Sequence, residues 1–413
     1  MHILLIADAN SIWTKKFIEN ILLHRNYKLS IITWSNKKFL DFYKKNKISV
    51  MQLNRKAKED IIIGSNFRQT NRATLHDRII DIFLKIIRSI CPKYLRKYFR
   101  KEILSYRIMK FCKPISQYDI IHFLYIDEET EDIYDALPKD IREIFITYLG
   151  SDILRCNNEK CNLPLIERSK IITFMSKKLF DRFHEIYGTL YDNKIYVLDF
   201  GVSAYDSINN IRKLSASHVE NRLLYSIPEN KTCIMIGYNA SPYQQHIKVL
   251  NAIKNIPEDM QSKIHVVVHF SYQRINIQYI NDVCSSLKNS KFSSCVINRF
   301  LDDNEIARLR DAVDIFIHAQ LTDALSASML EYLFAGKIVL NGAWLKYKEL
   351  EELGIRYFSF NDFNELSNIL QDIILHYNKY KLQLTDNTSL LYGLNSWEAV
   401  RPHWLKLYET AMR

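Results

Sequence analysis

The chain has 413 residues, 47% of them hydrophobic and 12% aromatic. That length predicts two domains rather than one core, and the apolar content excludes a disordered chain. A formal net charge of +11 points to an anionic partner. The sequence has no zinc-ligand pattern, aromatic RNA-binding signature or helix-turn-helix, which argues against nucleic acid.

No apolar run reaches the roughly 18 residues that span a bilayer. The start, MHILLIADAN, is too short and lacks the basic residues of a signal peptide, so it reads as a first strand. Seven scattered cysteines, an odd number, fit free thiols in a reducing cytoplasm. Cys156 and Cys161 have no second Cys/His pair nearby, and no metal site is expected there.

In chain order, HILLIA (2–7), KLSIITW (28–34) and ISVMQL (48–53) read as strands. Helical spacing separates them in SIWTKKFIENILLHR (11–25) and KKFLDFYKKN. The pattern resumes with strands YDIIHFLY (118–125), EIFITYLG (143–150), KIITFMS (170–176) and KIYVLDFGV (194–202). Strands alternating with helices predict a parallel sheet covered on both faces. Between the third and fourth strands, residues 78–104 interleave Lys and Arg with Ile, Leu, Phe and Tyr. Such a segment suits an anionic membrane interface, or else packs as an ordinary amphipathic helix pair. IDEETEDIYD (126–135) reads as a solvated loop and helix start.

Periodicity fades from about 205 to 229, and SIPENK reads as the end of a linker. A second series follows, with strands TCIMIGY (232–238), KIHVVVHF (263–270), SSCVINRF, DIFIHA (314–319) and IVLNG, again alternating with helices. The last segment, from Asn395, is helical, with Pro402 near a start or a kink. These readings divide the chain into domains 1–205 and 230–394, a linker 206–229 and a closing helix 395–413. Two such α/β domains are expected to face a central cleft. Ligands in parallel sheets bind outside the carboxyl ends of the strands, so the loops after strands are where chemistry is expected.

One of those loops is AQLTDALSASMLEYLFAGK (319–337). A helix starting near Ala324–Ser326 and stopping at Gly336 would aim its free N–H groups and positive dipole end at a ligand phosphate. Ala324, Leu325, Ser326, Ala327 and Ser328 are mostly small and allow close approach. Asp323 and Glu331 would lie about 12 Å apart if the whole stretch were helical, one near a sugar and the other near a ribose. The plainer alternative makes Asp323 an N-cap and Glu331 a solvated helix residue.

This stretch resembles the carboxylate–seven residues–carboxylate motif of GT-B glycosyltransferases, especially the retaining family 4, with Asp where Glu is usual and no following Gly-Phe-Gly. LEYLFAGKIVLN matches that family well. DANSIWTKKFIENI resembles its first loop and helix, which implies acceptor contacts for Asn10, Ser11, Trp13 and Thr14. The segment around Trp397 and Trp404 is similar to the helix that crosses back onto the first domain. A second resemblance, carried by GYNASPYQQHIKVLNAI, HVVVHFSYQRINIQYINDV and IVLNGAWLKYKEL, is to family 56. Those are inverting transferases of 4-acetamido-4,6-dideoxygalactose from a dTDP-sugar.

These resemblances imply a GT-B fold of two Rossmann-like domains and a hexosyl-type transfer from a nucleotide-diphosphate sugar. The reaction is expected to be retaining and to build a bacterial surface glycan such as O-antigen or capsule on a lipid-linked or polysaccharide acceptor. An inverting family-56-like enzyme and a non-catalytic nucleotide-sugar binder are the alternatives. Donor contacts are implied for Gly237, Asn239, Ser241, His246 and Tyr272, for the 324–328 helix start and for Glu331, with Lys248 or Arg299 as the cation near the pyrophosphate. Asp323 would act on the transferred sugar. An inverting reaction needs a base from the first domain, for which Asp152 and His122 are candidates. No cofactor and no metal are expected. The protein is expected in the cytoplasm, held peripherally on the inner membrane by the basic segment. Alanine at Asp323 or Glu331 is expected to abolish or strongly reduce transfer and leave the melting temperature nearly unchanged.

Overall fold

The computed structural model describes residues 1–34, 40–53, 61–63, 93–138, 143–155, 162–213, 218–271, 276–384 and 387–410. Tyr272, Cys156, Cys161 and residues 78–92 of the basic segment lie outside the described residues. The chain divides into two compact units, Met1–Asp199 with Arg401–Arg413, and Phe200–Val400.

The first unit holds an eight-stranded sheet in the order β4-β3-β2-β1-β5-β6-β7-β8. Its strands are β1 (His2–Ala7), β2 (Lys28–Thr33), β3 (Ser49–Gln52), β4 (Ile61–Ile63), β5 (Ile120–Leu124), β6 (Glu143–Tyr148), β7 (Ile171–Phe174) and β8 (Ile195–Val197). All pairings are parallel except that of the edge strand β4 with β3. β1 and β5 are buried at every residue, as strands covered on both faces must be. A single 20-residue helix, Lys93–Cys112, takes up the end of the basic segment. Its described surface includes Lys101, Glu102 and Lys110, with Tyr106 and Met109 exposed among them.

The second unit holds a six-stranded, wholly parallel sheet in the order β11-β10-β9-β12-β13-β14. These strands are β9 (Thr232–Ile236), β10 (Ile264–His269), β11 (Ser293–Ile297), β12 (Ile315–His318), β13 (Ile338–Gly342) and β14 (Phe358–Phe360). The stretch read as a linker belongs to this unit and is largely helical, as Ala204–Lys213 and His218–Leu224. Ala204, Tyr205, Ile208 and Ile211 on the first of these helices enter the core at helical spacing, and the Tyr205 ring stacks 4.0 Å from Phe334. Burying that face is what makes the stretch part of a domain.

The closing helix is Trp397–Thr410, with Pro402 inside it. From Arg401 on it belongs with the first unit. There Arg401 Nε donates to Asn20 O at 2.7 Å and Trp404 Nε1 to Asp199 O at 2.9 Å. Among the described residues no helix is long and apolar enough to cross a membrane.

Candidate functional site

In the second sheet the chain runs β9, β10, β11 toward one edge, then returns to the other side of β9 for β12. The switch point therefore lies between β9 and β12, and a crevice for a ligand opens at their carboxyl ends. The two loops there, 237–246 and 319–326, are bonded to one another. Gln320 Oε1 accepts from the Tyr238 hydroxyl and from Gln244 Nε2. Gln245 Nε2 donates to Ala319 O at 2.7 Å, and Leu321 N to Tyr243 O at 2.9 Å. From the β13 side, Trp344 Nε1 donates to Gln320 O at 2.7 Å.

The first loop turns on Gly237, whose φ is +63°. A Cβ there would stand 2.4 Å from His246 Nε2 and 3.1 Å from Gln244 Oε1, so only glycine fits. Asn239 and Ser241 shape the rest, Asn239 Oδ1 accepting from Ser241 N and Ser241 Oγ from Tyr243 N. His246 opens the helix His246–Lys254 and is fully buried. Its backbone N–H donates to the Tyr279 hydroxyl at 3.0 Å. The phenol proton is then free for His246 Nδ1, 3.1 Å away, which places the ring proton on Nε2. Burial pushes the imidazole pKa down to about 3, so the ring is neutral. Its Nε2–H is a buried donor with no partner among the described residues, beside the bare Gly237 backbone.

The second loop leads to the helix Ala327–Phe334, capped by Ser326, whose Oγ accepts from Met329 N at 3.2 Å. The helix thus starts one residue beyond the expected 324–326, and the approximately 12 Å span of an unbroken helix does not apply to 323–331. The cap leaves the first-turn amides of Ala327 and Ser328 as donors toward a ligand. Asp323 is not the N-cap; its Oδ2 lies 3.4 Å from His318 Nε2. Glu331 is not solvated either. Burial pushes its carboxyl pKa up and the Arg310 guanidinium pulls it back. Arg310 is fully buried and spends Nε, at 3.0 Å, and Nη2, at 2.8 Å, on Glu331 Oε2, with Nη1 on the Tyr332 hydroxyl at 2.8 Å. Both bonds fall on one oxygen, so Oε1 is the acceptor Arg310 does not use.

The proposed cations lie elsewhere. Arg299 follows the edge strand β11, is exposed, and bonds Glu305 at 2.5 Å. Lys248 is exposed on the helix after Gln245, whose Oε1 it reaches at 2.9 Å, with its ammonium 5.5 Å from the Phe363 ring centre. Sequence reasoning missed Arg310. The signal was its place on the apolar face of the helix Asp303–Ala312, spaced with Ile306 and Ala307. A charge on such a face needs a buried partner.

The first unit has its own switch point, between β1 and β5. Asn10, Ser11, Trp13 and Thr14 follow β1 in a turn tied by Asn10 N to Asp8 Oδ1 at 2.8 Å and Ser11 N to Asp8 O at 3.0 Å. Asn10, Ser11 and Trp13 are partly exposed and Thr14 is buried.

Both candidate bases are already engaged. His122 lies inside β5 and is fully buried. Its Nδ1 is 2.6 Å from the Tyr408 hydroxyl and its Nε2 is 2.7 Å from Thr147 Oγ1. Thr147 Oγ1 is in turn 2.6 Å from Thr173 Oγ1, which donates to Ile146 O at 3.1 Å. That terminal bond sets the proton order: Tyr408 donates to Nδ1, and Nε2–H donates to Thr147. Neither ring nitrogen remains for a substrate, so His122 is a core residue. Asp152 accepts from Leu149 N at 2.9 Å, Gly150 N at 2.7 Å and Ile126 N at 3.4 Å, clamping the turn after β6 to the loop after β5. Burial raises its pKa to about 6 against these bonds.

Burial lowers the His122 pKa from 6.5 to about 3. Between those values the unfolded chain binds the proton and the native one does not. The stabilisation is therefore present above pH 6.5 and lost as pH falls through that window. Asp152 works the other way between about pH 6 and 3.8. The advantage of the native protein over a His122→Asn variant in urea unfolding is expected to shrink by roughly 1–2 kcal/mol from pH 7 to pH 5. A constant advantage would contradict the buried neutral ring.

Against family models and against curated proteins, the sequence finds no match. Against solved structures, the chain is similar over its whole length to a glycosyltransferase from Rickettsia africae ESF-5. The TM-score is 0.71 at 15% identity, covering 100% of this chain and 98% of that one. The fold is that of the GT-B glycosyltransferases. Anabaena HepE, solved with UDP and glucose, has a TM-score of 0.64 at 12% identity, covering 99% and 100%. WaaG, a glycosyltransferase involved in lipopolysaccharide biosynthesis, has 0.61 at 12%, covering 97% and 98%. In this chain the β9/β12 switch point brings Gly237 and His246 to the loop that carries Asp323 and leads to the 327–334 helix start, with Glu331 farther along that helix on Arg310. Tyr272 is outside the described residues, and Lys248 and Arg299 have the other partners given above.

Gly237→Ala is expected to drive a methyl group into His246 Nε2 and to strain a left-handed turn. A thermal melt would then show a less stable chain that no longer responds to nucleoside diphosphates. An alanine variant with native stability and native nucleotide response would contradict this packing.

Proposed function

We propose that the protein is a glycosyltransferase that moves a sugar from a nucleotide-diphosphate donor to a lipid-linked or polysaccharide acceptor of a bacterial surface glycan. The observation that carries this is the β9/β12 switch point, where the loop ending in the buried His246 imidazole is bonded to the loop that carries Asp323 and leads into the helix N-terminus at Ala327. The Ala327 and Ser328 amides and His246 Nε2–H hold the pyrophosphate and stabilise the charge of the departing nucleotide. Neutral and backbone donors thus take the role that Lys248 or Arg299 was expected to play. Glu331 Oε1 accepts from the ribose hydroxyls, and Asp323 from the transferred sugar.

The retaining course is favoured by the state of the first unit. Both bases considered there, His122 and Asp152, are committed to internal hydrogen bonds. A retaining transfer, in which the acceptor attacks on the face the nucleotide leaves, requires no protein base. The β1 loop with Asn10, Ser11, Trp13 and Thr14 binds the acceptor. The basic segment 78–104 draws the protein to the cytoplasmic face of the inner membrane, where lipid-linked acceptors lie.

The test is a hydrolysis and transfer assay over UDP-, dTDP- and GDP-sugars, run with and without EDTA. Turnover of one donor class, unchanged by the chelator and giving an α-linked product from an α-linked donor, is the expected result. No turnover with any donor would remove the catalytic reading, and nucleotide-sugar binding without turnover would favour a non-catalytic binder.

A further inference from the structure

Several residues other than glycine have a positive φ, and most have an ordinary reason. Asn26, Lys47, Ser226 and Gln245 close helical turns, where a left-handed residue is usual. Asn162 is of a type that tolerates the conformation. Tyr125 instead follows strand β5, with φ at +75°. For a bulky side chain that backbone is strained, and glycine or asparagine would make the same turn at lower cost.

The turn is held from both sides. Tyr125 N donates to Thr147 O of β6 at 3.0 Å, and the next amide, Ile126 N, donates to Asp152 Oδ2 at 3.4 Å. Asp152 also accepts from Leu149 N and Gly150 N, so one carboxylate fixes the loops after β5 and β6 together. Asp127 then caps the helix Glu128–Ala136 in a capping box with Thr130.

Leu124 pairs with Ala7 at the ends of β5 and β1. Tyr125 and Asp8 therefore leave the two strands side by side at the first unit's switch point, where the β1 loop carries Asn10, Ser11 and Trp13. Tyr125 is partly exposed, and among the described residues its hydroxyl has one hydrogen-bond partner, Ser151 Oγ at 3.1 Å. Ser151 is partly exposed as well. One hydroxyl proton bridges the pair, and the other is left for a ligand oxygen. An aromatic ring that carries a hydroxyl pair at its tip matches a pyranose, which has an apolar C–H face and a rim of hydroxyl groups.

We propose that Tyr125, together with Ser151, binds the terminal sugar of the acceptor, and that the strained turn persists because it holds the tyrosine at that place. This rests on the reading of the first unit as the acceptor side.

Two variants separate the contributions. Tyr125→Asn relaxes the turn and removes the ring, whereas Tyr125→Phe keeps ring and turn and removes the hydroxyl. The full-length native protein and both variants are titrated by saturation-transfer NMR with the methyl glycosides of glucose, galactose, mannose and N-acetylglucosamine. Each is also melted with and without UDP, GDP and dTDP. The native protein is expected to bind at least one glycoside. Tyr125→Phe should bind it about threefold more weakly, and Tyr125→Asn at least about tenfold. Both variants should melt within about 5 °C of native, because relief of strain in Tyr125→Asn offsets the lost ring contacts. A diphosphate that stabilises the native protein should stabilise both variants by the same shift, since the donor crevice belongs to the other unit. Unchanged glycoside affinity in Tyr125→Asn overturns the inference. So does a larger fall in its melting temperature, which would assign the ring to packing. A native protein that responds to a diphosphate and binds none of the glycosides overturns this inference and the acceptor reading, and leaves the donor site standing.

Discussion

Glu331→Ala is expected to destabilise the second unit by about 3–5 kcal/mol as well as to weaken nucleotide binding. The cause is Arg310. Its guanidinium is 1% exposed, remains charged at any working pH, and has Glu331 as its ion-pair partner. Removing the carboxylate leaves a positive charge in the core with, among the described residues, the Tyr332 hydroxyl and, at 3.4 Å, Ser328 Oγ as its hydrogen-bond partners. For a unit of this size that loss corresponds to a fall of roughly 6–20 °C in melting temperature. This revises the expectation from sequence, in which Glu331→Ala left the melting temperature almost unchanged. A double variant, Glu331→Ala with Arg310→Met, should be less destabilised than Glu331→Ala alone, because it removes both charges. Differential scanning calorimetry of the three proteins checks this, and a Glu331→Ala melt within a degree or two of native would contradict the buried pair.

Asp323→Asn should do the reverse. The shape is kept, the charge is lost, and the neighbours are the His318 imidazole and the Tyr347 phenol, whose pKa burial and Asp323 together raise. The melting temperature is expected to stay within about 2 °C of native, as for substitutions that leave no stranded group. Transfer is expected to fall at least about 100-fold, because the transition state of a glycosyl transfer is oxocarbenium-like and a fixed negative charge beside the sugar acts mainly there. Nucleoside diphosphate affinity should be untouched. Equal losses of stability and activity would return Asp323 to a structural role.

The contrast shows what the sequence could tell and what it could not. Twelve strands were legible because buried parallel strands are short apolar runs, HILLIA and KIHVVVHF among them. The two missed, β4 and β14, have three residues each and sit at sheet edges. The false linker arose because AYDSINNIRK is rich in Ser and Asn, residues that favour turns, which hid its buried Ala204, Ile208 and Ile211. Asp323 and Glu331 were found by their spacing. Arg310, 21 residues from Glu331, and Tyr408, 286 residues from His122, were not, because pairing over such separations is decided by the fold. His122 shows the same limit: residue type and position suggested a base, and Tyr408 and Thr147, both distant in sequence, take its two ring nitrogens.

The central claim is that the carboxyl ends of β9 and β12 bind a nucleotide-diphosphate sugar. It is tested most directly by thermal melts of the full-length protein with UDP, GDP, dTDP, ADP and CMP, alongside the Gly237→Ala variant. One diphosphate should raise the native melting temperature in a concentration-dependent way and leave the variant's unchanged. A native protein stabilised by none of them, or a variant that responds as strongly as the native chain, would contradict the account.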